Sequence, residues 1–169
     1  MTPEAFEQAA RGLLDRVPAM TLATCADALP WATDVYFAPL GYDLVFFSSP
    51  ASRHCRNLAE NQACAASVHP QAATWQEIRG LQLEGRAGPA ATAAEKAQAL
   101  AAYLTKFPFA KDLLANPAEA ARTLLTASAH IFRPTRIRYL DNALGIGTRF
   151  CLRIQGGKPA GEPEREERG

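Results

Sequence analysis

Phe46-Phe47-Ser48-Ser49-Pro50-Ala51-Ser52-Arg53-His54 is where the chain changes its period. Just before it, Leu44-Val45-Phe46-Phe47 is a short unbroken apolar run, the pattern of a strand buried on both faces. After it, a helix opened at Ser49-Pro50 runs through Arg53, Leu58 and Glu60, and Asn61 can stop it. An apolar strand therefore delivers three hydroxyls, a guanidinium and an imidazole to the start of a helix. Free backbone N–H groups and the positive dipole end favour an anion there. Arg53 adds a planar fork that matches two phosphate oxygens. Plain N-capping beside a solvent-exposed arginine fits the same residues, so both readings stand at this point.

Upstream lies a meander. Met20, Leu22 and Thr24 alternate with small neighbours, Asp27-Ala28-Leu29-Pro30 supplies a turn, and Trp31, Thr33, Val35 and Phe37 form one face of the next strand. Before it comes a helix. Thr2 caps, Pro3 takes the first helical position, and Phe6, Ala9, Ala10, Leu13, Leu14 and Val17 make one stripe up to Pro18. Downstream, Ala63 to Val68 reads as a small-residue strand. From Ile78 to Ala87, Leu81 and Leu83 alternate against Gln82, Glu84 and Arg86. Thr92 and Glu95 form a capping box ahead of one helix, and Asn116-Pro117-Ala118-Glu119 opens another that runs to Leu125. Ala129 to Leu140 is a strand in which Pro134 requires an edge or a bulge, and Phe150 to Ile154 is the last strand. About six mostly consecutive strands with flanking helices predict an α+β fold built on an antiparallel barrel.

Composition sets the bounds. A chain of 169 residues with 48% hydrophobic and 21% charged content supports one domain with its own core. Residues 1–155 are expected to form it, and the Gly-, Pro- and charge-rich residues 156–169 to be disordered. A net charge of +1 argues against a nucleic-acid or membrane-surface partner, so Arg133, Arg136 and Arg138 read as an exposed strand face or a subunit contact. The acidic, non-apolar start has no signal-peptide pattern and no stretch is long enough to span a bilayer, so a cytoplasmic protein is expected. Cys25, Cys55, Cys64 and Cys151, like His54, His69 and His130, are dispersed; no metal site or disulfide framework is expected. Gly145-Ile146-Gly147 lacks the third glycine and the βαβ setting of a dinucleotide fingerprint. Trp31 and Trp75 are expected in the core or at an interface.

The segment Phe47-Ser48-Ser49-Pro50-Ala51-Ser52-Arg53-His54 resembles the phosphate-binding segment of the FMN-binding split barrel superfamily, which includes pyridoxamine phosphate oxidase, with His54 where the oxidases carry lysine. Ser52-Arg53-His54, Ile78-Arg79-Gly80-Leu81-Gln82-Leu83-Glu84-Gly85, Phe107-Pro108-Phe109-Ala110 and Asp141-Asn142-Ala143-Leu144-Gly145-Ile146-Gly147 resemble the YhbP-like family within it. The resemblance implies a homodimeric split barrel holding FMN between subunits. Thr33, Asp34, Val35 and Tyr36 would run beside the ring, and Phe47, Ser48, Ser49, Ser52, Arg53 and His54 around the phosphate. Arg79, Gln82 and Asn142 are further implied contacts; Arg79 fits a phosphate contact or a pair with Glu84. No side chain stands out as a general acid or base, which suits flavin oxidoreduction of a small molecule with an external electron donor. The oxidases' set for pyridoxal phosphate is not matched, so vitamin B6 oxidation is not expected. A flavin carrier without turnover, or a barrel holding deazaflavin or heme ligated by one of the three histidines, stays open.

Overall fold

The computed structural model describes residues 1–115 and 126–166; the helix expected from Asn116 to Leu125 lies outside them. Helix α1 (Pro3–Arg16) starts as its sequence dictates, with the Thr2 hydroxyl accepting from the Ala5 N–H, and it buries Phe6, Ala10, Leu13 and Leu14. Strands β1 (Ala19–Ala26), β2 (Leu29–Leu40) and β3 (Asp43–Ser48) form the meander. The first turn is tighter than the composition indicates. Asp27 and Ala28 alone make it, both at positive φ, and Leu29-Pro30 already belong to β2. Then follow α2 (Arg53–Glu60), β4 (Ala63–Val68), β5 (Arg79–Pro89), α3 (Ala93–Lys106), α4 (Phe109–Ala115), β6 (Ser128–Asp141) and β7 (Arg149–Gln155). The Thr92–Glu95 capping box is present at the start of α3.

Six strands close a ring in the order β3-β2-β1-β4-β5-β6, all antiparallel, with β6 returning to pair with β3. Its interior holds Met20, Leu22, Phe37, Leu44, Phe46, Leu81, Leu83, Phe132 and Ile137, with the buried stripe of α1 in the same cluster. A second cluster, Ala38, Val45, Ala90, Ala99 and Ile131, lies between the ring and α3. Strand β3 is thus buried on both faces, as its unbroken apolar run requires.

Strand β6 serves two partners along one edge: residues 128–132 pair with β3, and residues 136–140 pair with β7. Pro134 sits at the changeover, where the register against β5 shifts between Glu84 and Gly85 and leaves Thr135 as the extra residue. The bulge accommodates a residue that cannot donate to the ladder. Gly85 is required opposite it, since a Cβ there would lie 2.8 Å from the Pro134 Cα and press on the Arg133 carbonyl.

Residues 158–159 and 164–166 form two further strands, β8 and β9, along β7, where the composition predicts a disordered tail. Strand β8 returns onto β7 over Gly156 and Gly157, both at positive φ, and β9 is held by a charge clamp: Glu166 receives Nε of Arg138 through both carboxylate oxygens, at 2.9 and 3.1 Å. The other arm of Arg138 reaches Glu84.

Candidate functional site

Strands β2 and β3 pair only from Phe37 with Phe46 to Leu40 with Asp43. Beyond that point they part. Phe47 and Ser48 continue along β6, and the chain then turns into α2, while β2 runs on with β1 alone. The gap between them is the split of the barrel. The Phe37 N–H donates to the Pro18 carbonyl, so by antiparallel alternation Thr33 and Val35 turn their backbone groups to β1. Ala32, Asp34 and Tyr36 turn theirs toward the split. The Asp34 carboxylate is held by the Thr21 hydroxyl at 2.7 Å. The exposed Tyr36 ring stands edge-on to Phe107 and Phe109, at 5.4 and 6.2 Å. Phe47 packs edge-on against Tyr103 of α3 at 5.0 Å, which anchors the strand end.

The segment Ser48 to His54 borders the same split. Ser52 caps α2, its hydroxyl accepting from the Cys55 N–H at 3.4 Å, and the Ser52 N–H donates to the Ser49 carbonyl. The first intrahelical bond runs from the Arg56 N–H to the Ser52 carbonyl. The N–H groups of Arg53 and His54 therefore precede any intrahelical acceptor. Arg53 is exposed and lays its guanidinium 4.4 Å above the Trp31 ring on the outlying half of β2, so this contact bridges the split. Trp31 and Trp75 are both exposed, not core residues; Trp31 has a place here because it supports Arg53. Its role was hidden in sequence because it depends on β2 continuing past β3.

His54 turns inward. It is buried, with Nε2 2.6 Å from the Ser48 hydroxyl and 3.1 Å from that of Ser52. Beneath it His130 of β6 stacks on Phe46 at 5.2 Å, donates from Nδ1 to the Ser128 carbonyl (2.9 Å), and interacts with the Cys55 thiol. Burial and the neighbouring His130 hold His54 below the ordinary imidazole range. Burial also works against charge on His130, but its bonds to Cys55 and Ser128 outweigh it and raise it. For Cys55 the upward push of burial is outweighed by hydrogen bonds from His130, Ser52 and Ser48. Neither Cys55 nor His130 is singled out by the sequence; the signal lies in the pairing of Phe46 with His130 across β3 and β6.

Arg79, Gln82 and Asn142 are not brought to this segment within one chain. Ser48, Ala26 and Pro89 lie at one end of the barrel; Leu40, Val68, Arg79 and Asp141 lie at the other. Arg79 lines an open cleft of about 490 Å³ at that far end with Glu77 and Asp141, while the Glu84 carboxylate goes to Arg138 and Arg136. Gln82 is exposed on the outer face between Ser67 and Arg138. Asn142 is a staple. Its side-chain amide donates to the Trp75 carbonyl (2.8 Å), its carbonyl accepts from the Gly147 N–H (2.9 Å), and its own N–H goes to the Ile78 carbonyl. Among the described residues there is no cluster able to hold a metal, no disulfide, and no helix long and apolar enough to cross a membrane.

A six-stranded antiparallel ring with one parted strand pair, capped by a hydroxyl- and arginine-bearing helix start, defines a split barrel of the α+β class. The model of the pyridoxamine 5'-phosphate oxidase family matches residues 6–140, and the chain belongs to that family. No curated protein matches it. Among solved structures it is similar to a heme binding protein from Mycobacterium smegmatis, at 24% identity and a TM-score of 0.68 over 87% of this chain. The chain spans only 57% of that protein's length. It is also similar to a putative pyridoxamine 5'-phosphate oxidase from Listeria innocua (13% identity, TM-score 0.60, 80% of this chain and 98% of that one). PhzG from Burkholderia lata 383, solved with tetrahydrophenazine-1-carboxylic acid, gives 13% identity and a TM-score of 0.63 over 98% of this chain and 89% of its own.

Proposed function

We propose that the chain is a cytoplasmic FMN-binding oxidoreductase of the YhbP-like group, acting as a homodimer on a small molecule. The observation that carries this is the juxtaposition of an anion-seeking helix start and an unpaired strand edge across one split. Arg53, the N–H groups of Arg53 and His54, and the hydroxyls of Ser48, Ser49 and Ser52 suit a phosphate dianion. The backbone groups of Asp34 and Tyr36, on either side of Val35, suit the polar edge of a flavin ring. When bound, the flavin supplies hydride or electron transfer. The protein's part is to anchor the phosphate, orient the ring along β2 and shield it. Arg79, Gln82 and Asn142, remote from the split of their own chain, would serve the cleft of the second subunit. The tight loop that Asn142 builds between the ends of β6 and β5 supports the YhbP-like placement, since it gives the Asp141–Gly147 motif a fixed shape.

Arg53→Ala is expected to weaken FMN binding ten- to a hundred-fold, since a hydrogen bond to a charged group contributes about 1.5–3 kcal/mol. Riboflavin, which lacks the phosphate, should lose far less. Arg53→Lys should recover part of the loss, because a point charge replaces a fork. Fluorescence titration of both ligands decides it; equal losses for the two would assign Arg53 a structural role only.

A second reading takes its warrant from the M. smegmatis heme binding protein. It needs an accessible imidazole. His54 and His130 are buried and bonded, whereas His69 is exposed. A Soret band in place of flavin absorbance in the purified protein, lost in His69→Ala, would favour it.

A further inference from the structure

We infer that His54 takes up a proton when a phosphate enters the split, and by doing so leaves both the Ser48 and Ser52 hydroxyl hydrogens free to donate to the phosphate. This rests on the proposed FMN site. The warrant is a count of hydrogens. Nε2 of His54 lies within hydrogen-bond distance of both hydroxyls, and these stand 3.5 Å from one another. With Nε2 unprotonated, a serine must point its hydrogen inward at the ring and offer lone pairs to the split. That arrangement opposes a dianion. With Nε2 protonated, the ring donates to Ser48 and both hydroxyl hydrogens are free to point outward. The cradle gains one donor, as it also would from the neutral tautomer with its hydrogen on Nε2, and the added proton supplies the positive charge that tautomer lacks.

The surroundings favour the neutral ring before the phosphate arrives. From β3 come Phe46 and Ser48, from β6 comes His130, and along α2 Arg53 and Cys55 are its chain neighbours, with Arg53 turned out onto Trp31. Burial and the charge of His130 both disfavour a second positive charge, and a dianion in the split reverses that balance. The proton comes from solvent, so binding and proton uptake are linked, and affinity must fall as pH rises.

Two measurements test this on the intact protein. In ¹⁵N-labelled protein at pH 7.5, both ring nitrogens of His54 should carry protons with FMN bound, and one without it; riboflavin should leave the ring neutral. Between pH 6.5 and 8.5, where the FMN phosphate stays largely dianionic, the preference for FMN over riboflavin should fall by up to about tenfold per pH unit in the wild type. In His54→Gln, whose amide donates at any pH, that preference should be flat. A neutral His54 ring in the FMN complex, or the same pH profile in wild type and His54→Gln, overturns the inference even if Arg53→Ala still abolishes the FMN preference. A wild type with no FMN preference at any pH overturns both this inference and the phosphate site.

Discussion

Asp27 and Ala28 turn the β1–β2 hairpin at φ values of 50° and 58°. Two residues in the left-handed region are what a tight hairpin needs, and the usual second residue is glycine. Alanine carries a Cβ into that conformation at a cost of roughly 1–2 kcal/mol. Ala28→Gly is therefore expected to stabilise the fold by about 1 kcal/mol, read as a higher denaturation midpoint in urea; a midpoint at or below wild type would show that the turn is not strained. The same scale shows what the sequence could and could not disclose at the site. Hydroxyls and a guanidinium at a helix start are local facts, legible in Ser48 to Arg53. The inward turn of His54 is not local. It follows from the rotation of α2 about its axis, which the burial of Cys55, Asn57 and Leu58, and the bond from Asn57 to Thr24 on β1, set from outside the motif.

Lys106 is the element-scale counterpart, since it ties α1, α3 and β2 together. Its ammonium donates to the carbonyls of Leu14 and Val17, both at 2.7 Å, at the C-terminal end of α1, and lies 3.7 Å from the centre of the Phe37 ring. Burial pushes it down to about 8, against the pull of Asp15. Between that value and the ordinary 10.5, the unfolded chain keeps a proton that the folded chain has shed. Stability should then rise with pH across the window, and Lys106→Met should flatten the rise. Urea midpoints at pH 8 and pH 10 for both proteins check it; parallel slopes would remove Lys106 as the cause. Helix and strand periods made nearly every element legible. The tail was not, because β9 is held by Arg138 on a strand remote in sequence, and β8 is a two-residue return onto β7 with no apolar pattern of its own.

At the scale of the whole molecule, exposed aromatic and aliphatic side chains gather at two places on the surface. Tyr36 and Phe109 lie beside the split, and Trp75, Ile78, Leu144 and Ile146 gather around the Asn142 staple at the far end. A symmetric pair is the commonest way to bury such surface and to complete a one-sided cleft. Light scattering at micromolar concentration should give twice the chain mass. A monomer would leave Arg79, Gln82 and Asn142 without a role in any flavin site.

The pairing of β3 with β6 has a kinetic consequence. The β1–β2 and β2–β3 hairpins close over two-residue turns and need no help from the rest of the chain. Joining Leu44 to Phe132 instead waits on everything between, and the entropy of gathering so long a loop is lost before the contact returns anything. Ring closure is thus expected to be the slow event in refolding. Because the split opens at the outer end of that same β3–β6 pair, the segment Ser48–His54 takes its final shape only after the barrel has shut.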